Sequence, residues 1–152
     1  MNILTALLLL SVTPFTAQVT AVHDGDTITV KRADPVETIK IRLDGIDAPE
    51  LKQPYGQTSR VLLSNLIYGK SVEIVPKNKD RYGRTIAQVK SDGRDVNNEM
   101  IKAGAAWWYS QYALHDLIKQ QAQADAQGQK IGLWANPDAI PPWDFRKKPA
   151  VK

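Results

Sequence analysis

The stretch Arg42-Leu43-Asp44-Gly45-Ile46-Asp47-Ala48-Pro49-Glu50 places a guanidinium and three carboxylates within one short run. Asp44-Gly45 is turn chemistry, and Pro49 fixes its own φ and drives Ala48 out of the helical region. The run is therefore a stiff, extended corner. Two more groups of the same kind flank it: Asp24-Gly25-Asp26 upstream and Arg81-Tyr82-Gly83-Arg84 downstream. Hard oxygen ligands without histidine or cysteine suit Ca²⁺ or Mg²⁺ rather than zinc. Planar guanidiniums bind phosphate oxygens in pairs. A cation, a carboxylate able to accept a proton and two guanidiniums could together open a phosphodiester.

Each part also has a plainer reading. Asp24-Gly25-Asp26 alone is a turn, and it is no EF-hand loop, because Ile28 and Thr29 stand where that loop needs a ligand and a glycine. Asp47 and Glu50 alone are solvated carboxylates, and Arg84 alone is a surface ion-pair partner. They become a site only if the fold brings them to one place. In an antiparallel meander the start of the second strand and the end of the third share one end of the sheet, so Asp26 and Asp47 meet there. Two carboxylates so placed repel unless a proton or a cation intervenes.

The elements that must do this are short. Val19–Val22, Thr27–Val30 and Glu37–Leu43 read as three strands separated by turns at 23–26 and 33–35. Ile39, Ile41 and Leu43 share the core face of the third, which sends Arg42 to the other side. A helix is expected over Gln57–Ile67, stopped by Gly69. A fourth strand, Ser71–Val75, should end at Pro76, and Lys77–Arg84 reads as a polar loop with Gly83 letting the backbone aim Arg84. Thr85–Val89 is a fifth strand. Helices follow over Val96–Ala103 and Leu114–Gln127, the latter with Leu114, Leu117, Ile118 and Gln121 as its stripe. From Pro137 onward, prolines and basic residues indicate a mobile tail. Five strands with a helix between the third and fourth fit an α+β, mainly β class, a Greek-key barrel of the OB type with about three helices.

The chain has 152 residues, a net charge of +4 and no cysteine. It is long enough for one domain with short extensions. Disulfide scaffolds, thiolate zinc sites and cysteine nucleophiles are excluded. Arg146, Lys147, Lys148 and Lys152 against Asp144 put three of the four excess charges in the last nine residues, so an anion site in the body must be local. Ile3–Val12 is apolar but too short to span a bilayer. It reads either as the core of a secretion signal ending at Ala17, or as a buried first strand or an imperfect start site. The first reading divides the chain into a leader over 1–17, a domain over 18–136 and a basic tail over 137–152. It places a mature, membrane-free protein outside the cell or in a periplasm.

With these residues in view the chain resembles the thermonuclease, staphylococcal nuclease-like family. The resemblance rests on Asp24-Gly25-Asp26-Thr27, on Arg42 through Glu50, on Asp80-Arg81-Tyr82-Gly83-Arg84 and on Gly132-Leu133-Trp134, in that order. It implies a monomeric, Ca²⁺-dependent nuclease that cuts DNA and RNA and leaves 3′-phosphates. Carried over by position, Asp26, Asp47 and the backbone carbonyl of Ala48 would ligate Ca²⁺, with Asp24 acting through water. Several relatives carry threonine at the position of Ala48, and here only the carbonyl remains. Arg42 and Arg84 would clamp the scissile phosphate, and Glu50 would orient or deprotonate the attacking water. The segment Leu51–Tyr55 is shorter than the basic loop of some relatives. Arg81, Tyr82, Tyr109 and Tyr112 are therefore the candidates for substrate contact. Trp107, Trp108 and the two later tyrosines serve either as nucleotide contacts or as packing between barrel and helix. The rival reading is a nuclease-like barrel that grips nucleic acid or protein without cutting. His23 and His115 have no partner at metal-ligand spacing and read as structural or surface residues.

Overall fold

The structure is a computed structural model that describes residues 13–147. The apolar stretch 3–12 and the last residues of the expected tail lie outside the described residues. Eight strands and four helices follow in order: β1 (Phe15–Val22), β2 (Thr27–Ala33), β3 (Val36–Leu43), β4 (Ile46–Asp47), α1 (Gly56–Ile67), β5 (Ser71–Lys79), β6 (Thr85–Ser91), β7 (Arg94–Asp95), α2 (Val96–Lys102), β8 (Trp107–Trp108), α3 (Leu117–Gln129) and α4 (Pro142–Lys147). A 3-10 turn over Gly132–Ala135 joins the last two helices.

The five long strands run in the order β3-β2-β1-β5-β6, and a parallel pairing of β3 with β6 closes them into a barrel. Alternation explains the interior. Val19, Ile28, Val30, Ile41, Leu43, Val72, Ile74, Ala87 and Val89 all point inward and are fully buried. Leu63 and Ile67 of α1 and Met100 and Ile101 of α2 complete the same core. This is the expected OB-type barrel, mainly β with helices outside it.

Four sequence-based expectations differ from the structure. β1 begins at Phe15, and Phe15, Thr16 and Ala17 pair with Ile74, Glu73 and Val72. A cut after Ala17 would therefore remove three laddered residues. β5 continues through Pro76 to Lys79, because β1 pairs only with Ser71–Ile74 and a bulge between Pro76 and Asn78 accommodates the residue without an N–H.

α3 starts at Leu117, capped by Asp116, whose side chain accepts from Lys119 N–H. Its inner face is Lys119, Ala122 and Ala126, whereas Leu114, Leu117 and Ile118 are 64, 71 and 71% exposed. Small side chains face α2 there, so the large apolar ones are left outside. Finally, Pro142–Lys147 is not loose tail but helix. Pro142 is buried, the Trp143 ring meets Trp107 and Tyr109 at 5.6 and 5.4 Å, and Gln53 Nε2 donates to the Ile140 carbonyl. Aromatic packing outweighs the local preference of a proline-rich, basic segment for solvent.

Candidate active site

The third strand delivers Arg42 to the outside of the barrel, and the parallel register sets Arg42 opposite Ile86 on β6. Arg84 lies two residues before Ile86, on the same face. The barrel's closing seam thus puts two guanidiniums at one rim. Beyond Leu43 the chain turns at Asp44-Gly45, and β4 pairs with β8, with Asp47 opposite Trp107. Asp44 N–H donates to Ala87 O at 2.8 Å. Asn97 Nδ2 donates to Asp44 O at 2.9 Å and to Ala87 O at 3.1 Å, and Asn97 Oδ1 accepts from Val89 N–H at 3.0 Å. One buried amide therefore ties the turn to β6.

Two glycines allow the acidic loops to close on each other. A Cβ on Gly25 would lie 2.7 Å from Ala48 Cβ and 2.8 Å from Ser59 Cβ. This near contact locks Asp24-Gly25-Asp26 against the 47–49 corner. A Cβ on Gly56 would collide with the Glu50 carbonyl, so the start of α1 abuts the backbone that carries Glu50. Gln53, buried in this short loop, accepts from Glu50 N–H at 3.1 Å. The segment Leu51–Tyr55 is thus tied tightly to the backbone that carries Glu50.

Asp26 Oδ2 accepts from Ala48 N–H at 2.7 Å and Oδ1 from the Thr27 hydroxyl at 2.9 Å. Arg42 Nη2 lies 3.5 Å from Asp26 Oδ2 and 3.4 Å from Asp47 Oδ1, so both carboxylates share one guanidinium nitrogen. Arg42 Nη1 donates to Leu43 O and Ile46 O at 2.7 and 2.8 Å. Half of the Arg42 fork thus holds the corner, and the other half faces the acids. Arg84 Nε donates to Asp80 Oδ2 at 2.7 Å, while Asp80 Oδ1 accepts from Tyr82 N–H and Arg84 N–H, both at 3.0 Å. Asp80 therefore builds the turn that aims Arg84, a role not apparent in the sequence. Arg81 Nη2 donates to the Tyr82 hydroxyl at 2.7 Å.

The acids and arginines of both loops line one cleft of about 710 Å³. Asp24, Asp26, Arg42, Asp47, Glu50, Arg81, Tyr82, Arg84, Tyr109 and Tyr112 face it together. Ala48 is buried directly behind it. Trp107 and Trp108 do not line it. Trp107 meets Trp134 edge-on at 4.4 Å, and Trp108 packs on the core and donates from Nε1 to Ala113 O. His23 pairs with Thr29 Oγ1 and does not line the cleft.

One residue at the cleft was not anticipated. Arg146 of α4 donates from Nη2 to Asp47 Oδ2 at 2.6 Å and from Nη1 to Asp47 Oδ1 at 3.1 Å and Glu50 Oε1 at 2.8 Å. In the sequence it belongs to a run of basic tail residues, and nothing in its surroundings marks it out. Its partners are distant along the chain.

Burial is the leading influence on the acids of the cleft. Burial, then the neighbouring charge of Asp26, pushes the Asp24 carboxyl up to about 7. Burial also raises Asp47, against the hydrogen bonds from Arg146 and with the charge of Asp26 adding to it. Asp26 is pushed up by burial too. There Arg42 and hydrogen bonds from Asp24, Ala48 and Thr27 outweigh the burial, and its carboxyl stays below the ordinary range. Among the described residues no three carboxylates enclose a point as they stand; Arg42 lies between Asp26 and Asp47, and Arg146 between Asp47 and Glu50. The donor set is all oxygen, and burial first, then the charge of Asp26, raises Asp24 and Asp47 within it. It fits a hard divalent cation that replaces a guanidinium.

Residues 40–136 match the family described as staphylococcal nuclease homologue. A protein of Haemophilus influenzae described as an uncharacterized endonuclease is 45% identical over 136 residues, which cover 90% of this chain and 75% of that protein. A protein with the same description from Escherichia coli O157:H7 is 45% identical over 132 residues, 86% of this chain and 84% of its own length. A micrococcal nuclease of Shigella flexneri is 34% identical over 143 residues, 88% of this chain and 81% of that protein.

Proposed function

Since the chain belongs to the staphylococcal nuclease homologue family and is a nuclease, we propose that it hydrolyses DNA and RNA with Ca²⁺, with little regard for sequence, and leaves 3′-phosphates. The observation that carries this reading is the single cleft holding Asp24, Asp26, Asp47, Glu50, Arg42 and Arg84. A barrel that only binds nucleic acid has no use for a full set of acids beside two arginines.

In this reading Asp26, Asp47 and the Ala48 carbonyl hold the cation, with Asp24 behind it. Bound there, Ca²⁺ offsets the charge of the phosphodiester and of the transition state. Arg84 binds phosphate oxygens through its two Nη groups, since its Nε is fixed by Asp80. Arg42 adds the charge of the Nη2 that faces the cleft. Glu50, whose side chain is 38% exposed at the cleft, takes the proton of the attacking water. Tyr82, Tyr109 and Tyr112 offer ring faces to bases, which suits tolerance of sequence. The apolar 3–12 stretch supports export to the periplasm or medium. A leader ending before Phe15 would leave β1 whole. Among the described residues no helix is long and apolar enough to cross a membrane.

The test is cleavage of single-stranded DNA and of RNA, with Ca²⁺ and with a calcium chelator, followed by analysis of the ends produced. Cleavage only with Ca²⁺, leaving 3′-phosphates, is expected. Equal rates in chelator would remove the cation from the reaction.

A further inference from the structure

Arg146 is placed as a cation would be. Its guanidinium forks onto both oxygens of Asp47 and reaches Glu50 with the same Nη1. Asp47 is 1% exposed, whereas the Arg146 side chain is 40% exposed. The carboxylate is thus fixed in the wall of the cleft, and the guanidinium enters from the open side. It sits on a short helix whose base is secured by Trp143 and by the Gln53 bond to Ile140. Its local concentration at Asp47 is therefore high, but only its side chain is committed to the site. The family match ends at residue 136, so Arg146 lies outside the region that defines the family.

Two positive centres cannot share Asp47 and Glu50 at close range. A divalent ion that takes an Asp47 oxygen loses that attraction to Arg146 and feels its repulsion. Conversely, removing Arg146 leaves two carboxylates facing each other, which only a cation or protons relieve. We propose that Arg146 is a tethered counter-ion that holds the cation ligand Asp47, together with Glu50, and must be displaced from Asp47 for the cation to bind. This rests on the assignment of Asp47 as a cation ligand. The consequence is a raised calcium threshold. At low calcium the protein is held with its acids neutralised and its water-activating carboxylate engaged. At high calcium Arg146 withdraws, and Glu50 is freed with Asp47.

The experiment is calorimetric titration of Ca²⁺ into the cation-free full chain without substrate, for the wild type, Arg146→Gln, Arg146→Lys and Asp47→Asn. Arg146→Gln removes the charge and should bind Ca²⁺ roughly tenfold more tightly or better, the scale of one charge-assisted hydrogen bond net of solvent. Arg146→Lys keeps the charge but not the fork and should fall between. Asp47→Asn should lose most of the binding. Equal or weaker binding by Arg146→Gln, while Asp47→Asn still loses it, overturns the counter-ion and leaves the cation site standing. Wild-type binding by Asp47→Asn overturns both, since the cation then does not use Asp47.

Discussion

Asn97→Ala tests whether the corner carrying Asp47 is held by a single buried amide. Asn97 is 1% exposed and makes three hydrogen bonds. Alanine leaves the Val89 N–H and the Asp44 carbonyl without their amide partner. Ala87 O loses one bond but keeps the Asp44 N–H. A buried polar group left unpaired costs about 1–3 kcal/mol, so two of them give a loss of about 2–6 kcal/mol. Urea unfolding in chelator measures this directly, at constant slope if only stability has changed. The turn at Asp44-Gly45 also sets the distance from Arg42 to Asp47. Initial rates at a temperature where the variant stays folded should therefore fall about tenfold. A stability loss under 1 kcal/mol would refute the accounting. Full loss of stability with an unchanged rate would show that Asn97 holds the barrel but not the site.

Glu50→Gln keeps the size of the side chain but cannot accept the proton of water. Its turnover should drop on the order of a hundredfold or more while Ca²⁺ binding by calorimetry stays within a few-fold of wild type. A wild-type rate would remove Glu50 from the chemistry. Asp24→Asn should stabilise the cation-free protein at neutral pH. Folded Asp24 holds its proton to about pH 7 and the unfolded chain releases it near 3.8. The folded state therefore binds more protons between these values and loses stability as pH rises through them. The full shift corresponds to about 4 kcal/mol. With Asp24 only partly buried at the cleft, a gain of about 2 kcal/mol for the variant is expected at pH 8 and none near pH 3.5. Thermal or urea unfolding in chelator at the two pH values checks it, and an equal difference at both would contradict the raised pKa of the buried Asp24 carboxyl. Asparagine keeps the acceptor for Asp26 N–H that Asp24 Oδ1 provides at 2.9 Å.

Much of the site was legible because it is local. Arg42 leaves its strand opposite Ile41 and Leu43 by simple alternation, and the turn at Asp44 and the stiff Pro49 corner follow from residue type. The strands around the barrel carry their buried residues at every second position, so the class of fold was readable as well. The stripe on α3 misled, since hydrophobic spacing tells which residues share a face but not which face turns inward. Leu117 and Ile118 share the outer one, and the alanines that meet α2 give a weaker signal.

What sequence alone determined is the inventory: the acids, the arginines and the turns that present them, each set by bonds within a few residues. Only the tertiary structure decided their meeting. The parallel seam of β3 on β6 joins Arg42 to Arg84, β8 on β4 fixes Asp47, and Asn97 holds the turn between them. Arg146 needed most from the fold, because its partners Asp47 and Glu50 lie nearly a hundred residues away. No local pattern encodes an ion pair closed across that span. It forms because Trp143 finds Trp107 and carries a charged neighbour into the cleft with it.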